Sequence, residues 1–477
     1  MSELMMAADR AIRSIAVAGG GIVALSAAAA FSRALPETRV MLVATQPDPA
    51  ALADRLPATW PAMARFHAHI GIDERELIRA GIATYHLGTR FEDWSSTGEP
   101  WVHAFGNYGR PLGAIAFDQI WWRAHQAGDA LAFDRYSVGA TLARAGKFVH
   151  PASDPNSLGS RYRYALRLDP ESYRDFLEQH VARSVTIVRS EIGEVERRDQ
   201  AVAALALKDG TRVEADLFVD CTGPRGRIIS SLDDSLEDWS AWMPFDRMLL
   251  ESAPPPNVTL TSDLARATDE GWSVEWSLSK RSLRADLRIG GGGIPISRAR
   301  RLRPWVRNVL ALGDAAIALD PLHGMNLDLA QQSILLALEL LPTRDFTAIE
   351  TSEYNRRAQL LTGRVRDFIA LHYLRSGRTS GVWAEFARSS PPDSLARTLD
   401  QYLFRMRMPF HEEETISRDD WSAALIGLGL VPRNLDPQVA GVPLETIIPA
   451  MRQLASEIEE SVERVPSYAA YLAGMMR

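Results

Sequence analysis

Near the start of the chain, hydrophobic positions form two short runs that are separated by glycines and a longer apolar stretch. Ser14–Ala18 reads SIAVA, which is apolar and partly β-branched, so it predicts a buried strand. A glycine triplet at 19–21 follows at once. Ile22–Ala34 then favours a helix of small residues, and 40–43 (VMLV) favours a second buried strand. This order of elements predicts a βαβ unit of about thirty residues.

The same patterns predict helices and strands along the rest of the chain. Helical spacing of apolar residues predicts helices at 62–70, 74–80, 118–127, 171–183, 327–341 and 353–373. Alternation and short apolar runs predict strands at 84–94 and 185–188, a hairpin at 201–207 and 212–219, a strand pair within 272–287, and a buried strand within 308–318. Beyond position 375 the chain is expected to be mostly helical. The fold class is therefore α/β, with a Rossmann-like βαβ unit and a helical C-terminal part.

Gly19, Gly21 and Ala24 occupy the three positions of a G-x-G-x-x-G/A fingerprint. The first position allows a tight turn, and the second lets the backbone approach a pyrophosphate, which the helix N-terminus then holds. The third position is small, so helix and strand can pack closely. The fingerprint follows a predicted strand and opens a predicted helix, which favours a dinucleotide site.

An N-terminal signal peptide or membrane anchor is the alternative interpretation of this stretch, because 15–31 is almost uncharged. The run is short for a membrane span, and glycines lie in its middle. Glu3 and Asp9 precede it, where a signal peptide carries positive charge. We therefore expect a cytoplasmic protein with no membrane partner.

Composition narrows the class of protein further. The 477 residues are 46% hydrophobic and 24% charged, as in ordinary globular proteins. The net charge of −7 argues against nucleic acid as a partner. Cys221 is the single cysteine, which excludes an internal disulfide and a cysteine metal cluster.

Four later segments carry a resemblance to a known family. Residues 218–226 (FVDCTGPRG) resemble the F-I-D-C-S-G-x-R-G segment of flavin-dependent tryptophan halogenases, and 303–322 (RPWVRNVLALGDAAIALDPL) resemble their R-P-W-x-x-N-x-x-A-I-G-x-A-A-x-x-x-E-P-L segment. Residues 354–373 are similar to their Y-N-R…R-D-F-I-x-x-H-Y helix, and 421–432 (WSAALIGLGLVP) to their W-x-x-x-L-x-G-x-G-x-x-P segment. The likeness covers nearly the whole chain.

The resemblance implies a fold and a cofactor. It implies FAD-binding and substrate-binding modules, interleaved over 1–375, followed by a helical region at 376–477. It also implies that a separate flavin reductase supplies reduced FAD. Gly313 and Asp314 would contact the ribityl or pyrophosphate part of FAD. The turn formed by Pro321, His323, Gly324, Met325 and Asn326 would lie near the isoalloxazine ring.

A reaction is implied as well. In the family, reduced FAD and oxygen convert chloride or bromide to hypohalous acid, which passes through an internal tunnel to a lysine. An electron-rich aromatic substrate is then halogenated with the help of a glutamate. Five tryptophans, at positions 60, 94, 101, 121 and 122, are expected to lie mostly in the core, and the lining of an aromatic-substrate pocket is the alternative for one or two of them.

This chain departs from the family at the positions that carry catalysis. His86 stands at the lysine position of the F-K-x-x-x-x-F-x-x-W pattern, and His323 stands where a glutamate follows E-P-L. Of the W-x-W-x-I-P signature only Trp272 remains. Ala44, followed by Thr45, replaces the acid that binds the adenosine ribose, so Thr45 becomes the candidate there. We therefore expect FAD to bind loosely, as a group that is shuttled from the reductase.

Two histidines change the chemistry that these positions offer. Neutral histidine is a weaker donor than a lysine ammonium, and it brings no negative charge in place of the glutamate. If the fold places both near the substrate, His86 and His323 would form an acid–base or metal-binding pair. Three functions stay open: a halogenase-like oxidoreductase, a hydroxylase or oxidase on the same scaffold, and a non-catalytic flavin-binding relative. A homodimer is one alternative for the oligomeric state.

Overall fold

The structure is a computed structural model that describes residues 11–95 and 98–475. Glu3 and Asp9, which bear on the signal-peptide alternative, lie outside these residues. Across the described ranges, every helix is too short or too polar to cross a membrane. The chain divides into two compact units: the described parts of 1–77, 168–246 and 294–363 form the first, and those of 78–167, 247–293 and 364–477 form the second.

The first unit is built on a sheet with a parallel centre. Its strands lie in the order Trp305–Val306, Val309–Ala311, Leu217–Asp220, Ser14–Ala18, Arg39–Ala44 and Thr186–Arg189. All neighbours are parallel except the first pair. Since parallel strands share one carboxyl edge, the residues that follow three of them, Gly19, Cys221 and Leu312, lie together at that edge.

Helices cover this sheet because their apolar residues need a partner surface. Ile22–Ala34 is buried from Ile22 to Phe31, and it packs against Pro170–Val181 and Asn326–Glu339. The helix Met63–Ile70 completes the set that lies wholly in this unit, and Glu74–Arg79 and Ala348–Leu374 each continue from one unit into the other. Two further groups of short strands belong to the first unit: Ile192–Arg198 with Ala201–Leu207 and Arg212–Val213, and Leu236–Asp238 with Ala299–Arg301 and Ile317–Ala318. The two-residue strand Ile294–Pro295 also falls in this unit.

The second unit contains a mixed sheet and most of the C-terminal helices. The strands pair in the order Arg247–Ala253, Ser282–Arg288, Gly271–Ser277, Asp263–Ala267, Gly88–Glu92 and Trp101–Ala104. Ala83–His86 and Ala165–Leu168 form a separate pair. The helices are Phe117–Gln126, Val138–Arg144, Trp383–Phe386, Asp393–Arg405, Arg418–Gly427, Pro437–Ala440, Leu444–Glu463 and Tyr468–Met475.

Most predicted elements are present within a few residues of their predicted bounds, but the single strand predicted at 84–94 is wrong. The chain forms two strands, Ala83–His86 and Gly88–Glu92, which belong to different sheets. Gly88 has φ +143°, and a Cβ there would overlap the His103 carbonyl oxygen. The bend at Leu87–Gly88 therefore ends one strand and begins the next.

The predicted hairpin at 201–207 and 212–219 is also only half right. Ala201–Leu207 does pair with Arg212–Val213, but Leu217–Asp220 leaves the hairpin and pairs in parallel with Ser14–Ala18. Ala201–Leu207 pairs along its length with Ile192–Arg198, a strand that is too polar to be predicted from alternation. Helix 326–339, predicted as amphipathic, is buried on nearly every side.

Candidate functional site

The glycine turn leaves no room for side chains. Gly19 has φ +148°, and a Cβ there would lie 2.5 Å from the Cys221 carbonyl oxygen. A Cβ at Gly20 would overlap the Thr45 carbonyl oxygen, so the residue after the second strand lies directly against the turn. Ala24 is fully buried beside Gly19, where a larger residue would separate helix and strand. The turn thus has the close backbone approach that the fingerprint predicts.

The N-terminus of helix Ile22–Ala34 holds an anion supplied by the protein itself. Gly21 is the N-cap and offers no side-chain cap, so the first amides of the helix need outside partners. Asp54 supplies one, because its Oδ1 accepts a 2.8 Å hydrogen bond from the Val23 amide. A helix end that binds a carboxylate here also fits a pyrophosphate, which is the group that FAD would present.

A second carboxylate, that of the buried Asp314, lies beside the half-buried Asp54. Gly313 has φ +57°, and a Cβ there would lie 2.9 Å from Val23 Cγ1, so the Gly313–Asp314 turn packs on the first turn of the helix. Both oxygens of Asp314 accept backbone amides, from Leu52 and Ala53, at 3.0 Å each. Asp314 therefore caps the short 3₁₀ helix Leu52–Asp54 from across the chain.

Burial makes both carboxyl groups reluctant to ionise. It raises the pKa of Asp54 to about 6. Burial, together with the neighbouring Asp54 charge, raises the pKa of Asp314 to about 7. Both carboxyl groups therefore change from neutral to negatively charged as the pH rises through about 6 and 7.

The turn at Pro321–Asn326 is held in a fixed shape before helix Asn326–Glu339. His323 is buried with φ +63°, and its carbonyl accepts a 2.8 Å hydrogen bond from Trp60 Nε1. Gly324 also has φ +63°, and a Cβ there would overlap the Cβ of Ala58. Pro321 accepts the Gly324 amide through its carbonyl at 2.9 Å. His323 is a non-glycine residue in the left-handed region, so it makes this turn strained, as is common at functional sites, whereas Gly324 adopts that region without strain.

The first residues of the following helix leave polar atoms for a ligand. Met325 is the N-cap and provides no side-chain cap. Asn326 donates through Nδ2 to the Leu319 carbonyl at 2.9 Å, while its Oδ1 is buried with no hydrogen-bond partner. Backbone amides and an amide side chain at a helix N-terminus suit a planar, electron-rich ring such as reduced flavin.

One segment, residues 45–60, contacts both of these turns, and the sequence patterns predict no helix or strand there. Thr45 and Asp54 contact the glycine turn, and Ala58 and Trp60 contact the turn at 321–326. The six candidate FAD residues Gly19, Gly21, Ala24, Thr45, Gly313 and Asp314 are thereby gathered in one place, and Pro321, Gly324, Met325 and Asn326 belong to the same unit. Their role in FAD binding stays a prediction.

His86 lies in the second unit, at the end of strand Ala83–His86. Its side chain is only 1% exposed. Its ring packs against the ring of Phe105 in a T-shaped arrangement, with 5.3 Å between the ring centroids. Nδ1 lies 3.7 Å from Oδ2 of Asp263, and Oδ1 of Asp263 accepts a 2.6 Å hydrogen bond from Nε of Arg167. Because His323 belongs to the first unit, the proposed pairing of the two histidines stays a prediction.

Sequence reasoning missed Asp263 and Arg167. A signal for Asp263 was present, because it falls in phase with Ala265 and Ala267, the buried positions of an alternating strand. A carboxylate in phase with buried residues indicates a buried charge that needs a partner. In the part of the chain that the structure describes, no group of three or more histidine, cysteine or acidic side chains could hold a metal ion.

The second unit contains an aromatic cavity, and its identity with the substrate pocket stays a prediction. A cavity of about 400 Å³ is lined by Trp101, Trp121 and Trp122, together with Tyr108 and Phe133. Trp60, in contrast, belongs to the first unit, and Trp94 is fully buried.

The chain is similar in sequence and in structure to known proteins. The sequence model of the tryptophan halogenase family matches residues 14–285 and 280–444. The chain is 24% identical to tryptophan 6-halogenase ThaL of Streptomyces albogriseolus, over 91% of this chain and 93% of that protein. It is 29% identical in sequence to the solved structure of BrvH, a flavin-dependent halogenase from Brevundimonas sp. BAL3, with a TM-score of 0.92 over 98% of this chain and all of that one.

A second solved structure agrees. Xcc4156, a flavin-dependent halogenase from Xanthomonas campestris, is 28% identical, with a TM-score of 0.90 over 98% of this chain and 99% of that one. These similarities confirm the predicted α/β fold and FAD as the cofactor. The chain therefore belongs to the tryptophan halogenase family of flavin-dependent enzymes.

Proposed function

We propose that this enzyme halogenates an electron-rich aromatic small molecule, with reduced FAD, oxygen and a halide as co-substrates. The observation that carries the proposal is the buried imidazole of His86, which stands at the position of the family's lysine and faces both an aromatic ring and a carboxylate. The alternatives, hydroxylation on the same scaffold and a flavin-binding relative without catalysis, become outcomes of the test below.

FAD would be held by the residues of the first unit. The glycine turn and the helix amides fit its pyrophosphate, Thr45 lies where the ribose acid is missing, and Asp314 is available to hydroxyl groups of the ribityl chain. The turn at 321–326 would approach the ring. When bound, reduced FAD and oxygen supply the two-electron oxidation that turns a halide into hypohalous acid.

His86 would then direct the halogen to the substrate. A protonated imidazole nitrogen donates a hydrogen bond to the oxygen of the hypohalous acid and so weakens the oxygen–halogen bond. The aromatic carbon forms a bond to the halogen as the oxygen–halogen bond breaks. The oxygen leaves as water with the proton that it receives, and the ring loses its proton to a base, for which we propose His323.

The remaining assignments follow from this function. We infer that a separate flavin reductase supplies the reduced FAD, that the enzyme acts in the cytoplasm, and that a homodimer is compatible with it. The division into interleaved modules over 1–375 and a helical region over 376–477 stays a prediction.

Mass spectrometry of the products tests the proposal. Indole-type and phenol-type compounds are incubated with the enzyme, a flavin reductase, FAD, NADH, oxygen and bromide, and His86→Gln serves as the comparison. We expect a brominated product from the wild type and at least a hundredfold less from the variant, since proton transfer by a positioned side chain typically contributes about 10²–10⁴-fold. Oxygen incorporation without bromine would favour the hydroxylase, and tight FAD binding without any product would favour the non-catalytic relative.

A further inference from the structure

Three buried side chains of the second unit, Arg167, Asp263 and His86, lie in contact one after the other. Arg167 is fully buried, Asp263 is 4% exposed, and the side chain of His86 is 1% exposed. A buried guanidinium and a buried carboxylate are costly unless each is paired. The 2.6 Å hydrogen bond from Arg167 Nε to Asp263 Oδ1 provides that pairing.

Arg167 is itself fixed by the backbone. Its Nη1 donates to two carbonyl oxygens, those of Leu260 and Ser277, at 2.8 Å each. These bonds hold the guanidinium in one orientation, and the guanidinium in turn fixes the carboxylate plane of Asp263. Asp263 cannot turn toward His86 or away from it without breaking this arrangement.

The second oxygen of Asp263 is the one that faces the imidazole. Oδ2 lies 3.7 Å from His86 Nδ1, which is an ion-pair distance and longer than a hydrogen bond. A carboxylate beside Nδ1 favours the tautomer that carries its proton there, and it stabilises the imidazolium when the ring becomes charged. Protonation of Nε2 then gives the imidazolium, which is the form that donates a proton in the proposed function.

We propose that Asp263 is a positioning residue for His86, held in place by Arg167, and that it fixes the Nδ1–H tautomer of the imidazole. This inference rests on the proposed role of His86 in catalysis. It gives a histidine that replaces lysine a fixed orientation and a compensating negative charge, which an isolated imidazole lacks.

Among the residues that the structure describes, the phenol of Tyr468 is a further titratable group close to Arg167. It accepts a 2.7 Å hydrogen bond from the Tyr85 amide, and burial raises the pKa of Tyr468 well above its usual value. The phenol therefore stays neutral over the range in which histidine titrates, and the proposal depends on the carboxylate of Asp263 beside His86 and on the guanidinium that pairs with it.

Nitrogen NMR tests the tautomer without any turnover. The full-length protein is labelled with ¹⁵N-histidine, and His86→Gln assigns the signal of His86 among the ten histidines. We expect the Nδ1–H tautomer in the wild type and a shift toward the Nε2–H tautomer in Asp263→Asn. An Nε2–H tautomer in the wild type would overturn the inference, whether or not the variant folds.

Kinetics provide the second arm. Asp263→Asn should lower kcat about 10- to 100-fold, the range seen when a partner that orients a functional histidine is removed. It should also move the alkaline limb of the kcat profile to lower pH, because the imidazolium that donates the proton loses the carboxylate that stabilises it. Glu92→Gln is the control, because it removes a half-buried carboxylate that Arg266 binds at 2.6 Å on a neighbouring strand. Equal loss in both variants with an unchanged pH profile would mean that Asp263 is merely structural.

The two arms separate the two hypotheses. If the wild type forms no product but shows the Nδ1–H tautomer that depends on Asp263, the proposed function fails and the positioning role stands. If product forms while the tautomer and the pH profile are the same in the wild type and in Asp263→Asn, the positioning role fails and the function stands.

Discussion

If FAD binds at the glycine turn as we propose, the carboxylate of Asp54 competes with its pyrophosphate for the same helix end, and this competition gives a quantitative prediction. The Val23 amide that Asp54 binds at 2.8 Å is one of the first amides of the helix after the glycine turn, where a pyrophosphate binds in the family fingerprint. The change to test is Asp54→Asn. Asparagine keeps an acceptor oxygen for Val23 and removes the negative charge, so the variant isolates the electrostatic part of the competition.

The magnitude follows from the charge at the helix end. A carboxylate at a partly buried helix N-terminus is worth about 1–2 kcal/mol, and FAD must displace this interaction before its pyrophosphate binds. The FAD Kd should therefore fall about 5- to 30-fold in Asp54→Asn at pH 8, since about 1.4 kcal/mol corresponds to a factor of ten.

The pH dependence has a definite sign. Burial raises the pKa of Asp54 to about 6, so the carboxyl is mostly neutral below that pH and mostly charged above it. FAD affinity of the wild type should fall as the pH rises from 5 to 8, and the variant should lose much of this dependence. Asp314, with a pKa raised to about 7, contributes the remainder.

Fluorescence titration of FAD, with Glu37→Gln as the control, provides the assay. Glu37 is exposed in the same unit, so its substitution removes one negative charge without touching the glycine turn. Asp54→Asn should bind FAD more tightly than this control. If the two variants bind alike, or if Asp54→Asn keeps the full pH dependence of the wild type, then Asp54 does not compete with the pyrophosphate.

Three further predictions concern single positions. Gly19→Ala should abolish measurable FAD binding and lower the free energy of unfolding by about 1–3 kcal/mol in urea titrations. The reason is that the new Cβ would meet the Cys221 carbonyl oxygen at a φ of +148°. Wild-type FAD binding and stability in this variant would contradict the tight glycine turn. The wild-type protein should lose stability as the pH rises from 4 to 7, because a carboxyl whose pKa is raised from 3.8 to about 7 binds its proton more strongly in the folded state. Asp314→Asn should show a smaller loss over the same range. Melting temperatures that fall equally with pH in both proteins would refute this. His86→Lys combined with His323→Glu should retain bromination by mass spectrometry, and its complete loss would mean that these positions do not correspond to the family's lysine and glutamate.

The βαβ unit could be predicted because its signals are local. Ser14–Ala18 and Ile22–Ala34 have the predicted bounds, since an apolar run, a glycine turn and a small-residue helix lie next to one another in sequence. The glycine spacing also determined which residues meet at the carboxyl edge of the sheet. The family resemblance then supplied the cofactor, which the glycines alone leave open between several dinucleotides.

The carboxylates that shape the sites could not be predicted in the same way. Asp54 reaches a helix end 31 positions earlier, and Asp314 caps a 3₁₀ helix 262 positions earlier, so neither contact leaves a periodic trace. The bend at Gly88 was missed because alternation continues through it, although a glycine inside a strand pattern is itself a warning of a bend or bulge. His86 was found only because the resemblance gave its position a role.

The central claim is that this chain, with His86 in place of lysine, transfers halogen to an aromatic substrate. Its most direct test is a bromide titration in chloride-free buffer with the wild-type enzyme, a flavin reductase, FAD, NADH and oxygen, followed by mass spectrometry of an indole-type substrate. The account predicts a product with the isotope doublet of bromine that rises with bromide and disappears without the enzyme. A product that carries added oxygen and no bromine at every bromide concentration would contradict it.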